Sequence, residues 1–144
     1  MIFDLRELKR SGKTSQTFYA EIEPEPQLCD IPGVEVAGNV RVTGKVTLTG
    51  EHSAAVEGEA AYVLSGSCTR CLEQTEKVCA AEFFEECGGA DSVYPAVNDK
   101  IDITKIVLDV VMTNMPVNFL CGEDCKGLCP VCGGNLNKGE CKCK

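Results

Sequence analysis

VEVAGNVRVTGKVTLTGEHSAAVEGEAAYVL, residues 34–64, is the stretch whose reading decides the fold. Val34, Val36, Val40, Val42, Val46 and Leu48 all fall on even positions, and Glu35, Asn39, Arg41, Thr43, Lys45 and Thr47 on odd ones. A period of two held over this length is a β-strand with one buried face. After Gly50-Glu51-His52-Ser53 the even alternation resumes at Val56, Ala60, Tyr62 and Leu64, with Glu57 and Glu59 opposite. Two such runs joined by a short polar turn predict an antiparallel hairpin. Gly38 and Gly44 are candidate bulges or bends.

Working outward, Phe18, Ala20 and Ile22 suggest a short strand within a mixed segment 1–33, which Pro24, Pro26, Pro32 and Gly33 punctuate. Downstream, a β-like run from Lys77 to Glu86 carries Val78, Phe83 and Phe84. The simplest connection of consecutive antiparallel strands is a meander. Residues 88–100 read as loop. The period then changes: Ile103, Ile106, Val107, Val110, Val111 and Asn114 follow helical spacing, with Asp102 as N-cap and Pro116 as terminator. One amphipathic helix over about 102–114 is expected. Its β-branched residues are weak helix formers, so packing on the sheet must hold it. The expected class is α+β: an antiparallel sheet (meander or partial barrel), one main amphipathic helix, and a Cys-rich tail. Two regions follow, 1–120 as the mainly β domain and 121–144 as the tail.

A chain of 144 residues is long enough for a real core. It has no tryptophan, three tyrosines and five phenylalanines, so that core must be largely aliphatic. The formal net charge is −8, which repels nucleic acid and anionic lipid. Charges at Asp4, Arg6, Glu7, Lys9 and Arg10 break up the apolar region that a signal peptide needs. No run approaches the ~20 apolar residues of a membrane span. These features point to the cytoplasm.

Cysteine is the outlier, with 11 residues. Clustered thiols in a reducing compartment suggest metal before disulfides. The 24 residues from Cys121 to Lys144 carry only Leu128, Val131 and Leu136 as large apolar side chains. These cannot offset an ordering cost of roughly 1 to 2 kcal/mol per residue. Something other than a core must hold the tail, and a metal ion is the direct candidate.

Cys129-Pro130-Val131-Cys132-Gly133 has the form of a zinc knuckle, in which two intervening residues let both sulfurs face one ion. Cys141-Lys142-Cys143 lies beyond a turn-rich gap, so Cys129, Cys132, Cys141 and Cys143 would make a four-cysteine site. Cys121 and Cys125, with Cys68-Thr69-Arg70-Cys71, make a second quartet that would pin tail to sheet. A competing partition uses Cys121, Cys125, Cys129 and Cys132 as one local site. One or two structural zinc ions are therefore expected, and sulfur ligands alone leave an iron–sulfur cluster open. Each four-thiolate zinc centre carries −2, so two would take the charge from −8 to −12. Cys29, Cys79 and Cys87 are read as small apolar or incidental thiols.

The other residue types are bland. His52, the single histidine, sits in a turn and is read as solvated rather than as a catalytic base. Glu85-Glu86 and the Asp99/Asp102 pair are read as charged strand ends and caps. No glycine pattern matches a nucleotide-binding loop. No catalytic residue is assigned, and no small-molecule substrate is indicated.

Cys68-Thr69-Arg70-Cys71-Leu72, Ile101-Asp102-Ile103 opening a helix that ends at Pro116, the run from Cys121 through Cys125-Lys126-Gly127-Leu128-Cys129-Pro130 to Asn137, and Cys141-Lys142-Cys143 together resemble the bacterial YceD family. The likeness is specific over 68–143 and looser over the preceding strands. It implies a role in accumulation of large-subunit (23S) ribosomal RNA, hence in ribosome biogenesis, and no catalytic residues. A ribosomal protein or assembly intermediate is then the expected partner. Two other classes remain: a direct RNA-binding zinc module, and a thiol switch or oxidoreductase using Cys68 and Cys71.

Overall fold

A computed structural model describes residues 1–89, 91–139 and 143. The elements in chain order are β1 (Ile2–Asp4), α1 (Leu5–Arg10), β2 (Ser15–Ile22), β3 (Val34–Leu48), β4 (Ala54–Ser67), β5 (Gln74–Cys87), β6 (Lys100–Asp102) and α2 (Ile103–Thr113). The alternating stretch forms β3 and β4, paired antiparallel with Val46 opposite Val56 and Val42 opposite Ala60. Their turn closes with the amide of Thr49 donating to the carbonyl of Ser53 at 3.0 Å. The sheet order is β2-β3-β4-β5, an antiparallel meander.

The bulge falls at Gly38 rather than Gly44. Register slips between Ala37, opposite Val63, and Arg41, opposite Ala61. β3 thus carries two extra residues there. Because the insertion is even, the inward parity of the valines survives it. Gly38 takes a φ of +70°, open to glycine at little cost. Gly44 instead lies flat in the ladder opposite both Phe18 and Gly58. A Cβ on it would come within 2.7 Å of Phe18 Cζ, and one on Gly58 within 3.2 Å of Phe83 Cζ. The two glycines make room for two rings on the inner face.

α2 runs within one residue of its expected bounds. The Asp102 carboxylate accepts from the Lys105 amide at 3.1 Å as N-cap, and Asn114 is the C-cap. Ile103, Ile106, Val107, Val110 and Val111 are buried against Val40, Val42, Val56, Leu64 and Phe119 in one core. This packing holds a helix whose intrinsic propensity is poor.

The N-terminal segment is more ordered than its mixed pattern predicts. β1 pairs with β6, Ile2 opposite Asp102, and Asp4 caps α1 by accepting from the Arg6 amide at 2.9 Å. Leu5 and Leu8 of α1 are buried. A single helical turn offers just these two apolar positions, too few for a period to register.

Candidate metal centre

β4 ends at Ser67, and the chain reverses through Cys68–Glu73 into β5. The Leu72 amide donates to the Cys68 carbonyl at 2.9 Å, and the Cys68 amide to the Glu73 carbonyl at 2.8 Å. Leu72 is forced to a φ of +62°, a left-handed conformation that glycine usually takes. The turn leaves both Cys68 and Cys71 buried.

The second pair is delivered by the segment after α2. Phe119 is fully buried in the main core, while its carbonyl accepts from the Thr69 amide at 2.7 Å and from Thr69 Oγ1 at 3.2 Å. Phe119 thus anchors the chain to the core by its side chain and to the first cysteine turn by its backbone. Leu120 packs beside the cysteines, and Cys121 and Cys125 follow. Arg70 Nη1 donates to the Cys125 carbonyl at 3.2 Å.

The four sulfurs of Cys68, Cys71, Cys121 and Cys125 lie within 4.8 Å of one another. Cys68 and Cys125 are 3.7 Å apart, Cys71 and Cys121 3.6 Å. A disulfide needs about 2.05 Å. Two sulfurs each about 2.3 Å from a tetrahedral ion are about 3.8 Å apart. The spacing therefore fits the edges of a four-sulfur coordination tetrahedron, and the donor set suits zinc.

Electrostatics fit the same reading. Burial opposes ionisation of Cys68, but the amides of Cys71, Cys121 and Arg70 outweigh it and bring the thiol down to about 6. The sulfurs of Cys125 and Cys71 push Cys121 up to about 12. The Glu73 amide draws Cys71 down, yet burial and the Cys68 sulfur carry it above its ordinary value. Thiolates this close repel unless a cation sits among them.

In the tail, Cys129, Cys132 and Cys143 form a second group whose sulfurs also lie within 4.8 Å. Cys141, the fourth expected member, lies outside the described residues. The knuckle is formed: the Cys129 amide donates to the Gly134 carbonyl at 2.8 Å, the Gly133 amide to the Cys129 carbonyl at 2.9 Å, and the Val131 amide to Cys129 Sγ at 3.4 Å. Gly133 follows the second cysteine at a φ of +74°, the position that Leu72 fills in the first turn. The competing set Cys121, Cys125, Cys129 and Cys132 is not brought together as one group; its members divide between the two clusters.

Three polar links were not visible in the cysteine pattern. Asn137 Nδ2 donates to Cys125 Sγ at 3.3 Å while its Oδ1 accepts from the Lys126 amide at 2.8 Å. Lys138 pairs with Glu73 at 2.5 Å. The turn residues Asn137 and Lys138 thus lie against the first cluster. A lone aromatic between a helix terminator and a cysteine was the available signal for Phe119.

Cys68 and Cys71 sit in a hairpin turn and not at a helix N-terminus, so the amides that lower Cys68 come from the turn itself and from Cys121. Cys87 is buried in the main core, its thiol raised to about 11 by burial and then by Glu85, and Cys29 and Cys79 pack at the edge of that core. His52 is exposed in its turn, with Nδ1 2.7 Å from Asp99 Oδ1. Among the described residues, no helix is long and apolar enough to cross a membrane.

The family model for "Large ribosomal RNA subunit accumulation protein YceD" matches residues 56–144, from β4 through both cysteine clusters. Among curated proteins, the chain is 40% identical over 52 residues to the chloroplastic "Large ribosomal RNA subunit accumulation protein YCED homolog 1" of Zea mays, covering 35% of this chain and 18% of that protein. The Arabidopsis thaliana protein of the same name is 40% identical over 50 residues, covering 35% and 16%. An uncharacterized protein of Mycobacterium tuberculosis is 33% identical over 88 residues, covering 54% and 42%. The matched stretch thus spans less than half the length of each of these relatives. No solved structure matches the chain.

Proposed function

Given that the chain belongs to the YceD family of large ribosomal RNA subunit accumulation proteins, we propose that it is a non-enzymatic, zinc-stabilised ribosome-biogenesis factor that promotes accumulation of 23S ribosomal RNA. The observation that carries the metal half of this reading is the four-sulfur group of Cys68, Cys71, Cys121 and Cys125, with edges of 3.6 and 3.7 Å. Four protein ligands on one ion leave no open position for substrate, which marks a structural ion and not a catalytic one. A second zinc ion would take Cys129, Cys132 and Cys143, with Cys141 as the fourth ligand. The first ion clasps the tail region 121–144 to the β domain 1–120, and the working surfaces are those the clasp holds in place. The partner is a ribosomal protein or an assembly intermediate, met in the cytoplasm, without a membrane or a small-molecule substrate. The net charge of −8 favours a basic protein over bare RNA.

Two measurements test this. Metal analysis of protein purified without added metal is expected to give two zinc ions per chain; none removes the clasp. A strain lacking the protein is expected to recover normal 23S ribosomal RNA when the chain is supplied. Unchanged 23S levels sink the biogenesis role. A chain with Cys68→Ser and Cys125→Ser is expected to restore much less.

A further inference from the structure

One face of the four-stranded sheet is covered by the core; the other is open. Cross-strand register lays out the open face in rows. Ala37, Val63 and Val78 form one row, Arg41, Ala61 and Ala80 the next, and Thr43, Glu59 and Glu82 the one after. Val78 is 77% exposed and stands on the edge strand β5. The bulge at Gly38 opens a depression of about 360 Å³ beside Val63 and Val78. An exposed aliphatic patch on an edge strand is an association hazard that folds usually remove.

The rim of this patch is acidic. Glu35 and Glu76 border it at one end, Glu59 and Glu82 at the other. The cations on the face are already engaged, Arg41 with Glu21 at 3.8 Å and Lys45 with Glu57 at 3.4 Å. Among the described residues, Glu35, Glu59, Glu76 and Glu82 make no ion pair. Glu59 stands directly opposite Glu82, an arrangement that costs the isolated sheet stability. An apolar centre within a charged rim is the anatomy of a protein interface, and this rim calls for cations.

We propose that the open sheet face docks a basic segment of a large-subunit ribosomal protein. Its Lys and Arg heads lie on Glu59, Glu76 and Glu82, and its aliphatic stems on Val63, Val78 and Ala61. The proposal rests on the biogenesis reading above and names the partner class and the surface. Phosphate is repelled by the same rim, and so is a second copy of this face.

The test uses the full chain, immobilised, with two separate probes: proteins acid-extracted from purified large ribosomal subunits, and protein-free large-subunit ribosomal RNA. The wild-type chain is expected to retain one or a few basic ribosomal proteins, identified by mass spectrometry, with retention falling steeply as salt rises. Glu59→Lys with Glu82→Lys keeps a like-charged pair, so the sheet is perturbed little. It is expected to lower retention at least about tenfold with unchanged melting temperature and metal content. Glu23→Lys with Glu25→Lys makes the same change in net charge in the loop after β2 and is expected to leave retention intact. Equal loss in both double variants reduces the effect to net charge and overturns the proposal, as does unchanged retention in the first. Retention of RNA instead of protein, or dimerisation abolished by the Glu59/Glu82 variant, also overturns it. A Glu59/Glu82 variant that loses binding yet restores 23S ribosomal RNA overturns the docking role alone. A wild-type chain that fails to restore it sinks the biogenesis reading itself.

Discussion

The two cysteine clusters use similar turns for different structural ends. In the first, Cys68 meets Cys125 across 57 positions and Cys71 meets Cys121 across 50. In the second, the described members Cys129, Cys132 and Cys143 come from one short stretch. Closing a loop of about 50 residues costs roughly 1 kcal/mol more than closing one of about 14. The first cluster meets that cost with a prebuilt frame: β4 delivers one pair, and α2 with buried Phe119 delivers the other. The second is drawn from one stretch, which Asn137 and Lys138 tie to the first cluster. The first therefore reports on the whole domain, and the second on the tail.

The difference is broken most severely at the first cluster. Cys68→Ser should release one metal equivalent and lower the melting temperature by about 10 °C or more, because structural zinc contributes folding free energy directly. A melting temperature within a degree or two of wild type would place the clasp outside the fold's stability. Next comes Phe119→Ala, which alters none of the clustered cysteines. It should cost about 3 to 5 kcal/mol in denaturant unfolding from the lost core side chain. It should also speed zinc release from the first cluster only; equal release from both would show that the frame does not distinguish them.

Cys132→Ser is expected to remove the other metal equivalent with a shift of about 2 °C or less, since Cys132 itself is exposed. Hydrogen exchange should quicken in the tail and stay unchanged in β4 and β5. Asn137→Ala removes the side-chain donor to Cys125 Sγ. On the zinc proposal, a roughly tenfold faster transfer of the first ion to a chelator is expected, the size of effect typical when a ligand loses its supporting hydrogen bond. The smallest effect should come from Leu72→Gly, which gives the first turn the residue that the second has in Gly133. Relief of the left-handed strain should stabilise by up to about 1 kcal/mol. Destabilisation would mean that the exposed Leu72 side chain makes a contact worth more than the strain.

Some of this molecule was readable from residue order alone. Alternation in 34–64 determined strands, faces and hairpin, because a strand's inward side is set by parity along its own chain. Helical spacing and Asp102 determined α2 to within a residue. The Cys-x-x-Cys spacing determined the two turns, since they are closed by hydrogen bonds among near neighbours. Other features were decided by tertiary structure. The bulge at Gly38 was silent because two inserted residues leave parity unchanged. Gly44 and Gly58 make room for Phe18 and Phe83, and that need arises only when β2 and β5 lie against the hairpin. Two buried leucines in α1 make too short a pattern to be seen without their partners. Above all, the gathering of Cys68 and Cys71 with Cys121 and Cys125 depends on where α2 packs and where Phe119 is buried. Local spacing says which sulfurs can face one ion from a single turn. Only a packed core says which two turns meet.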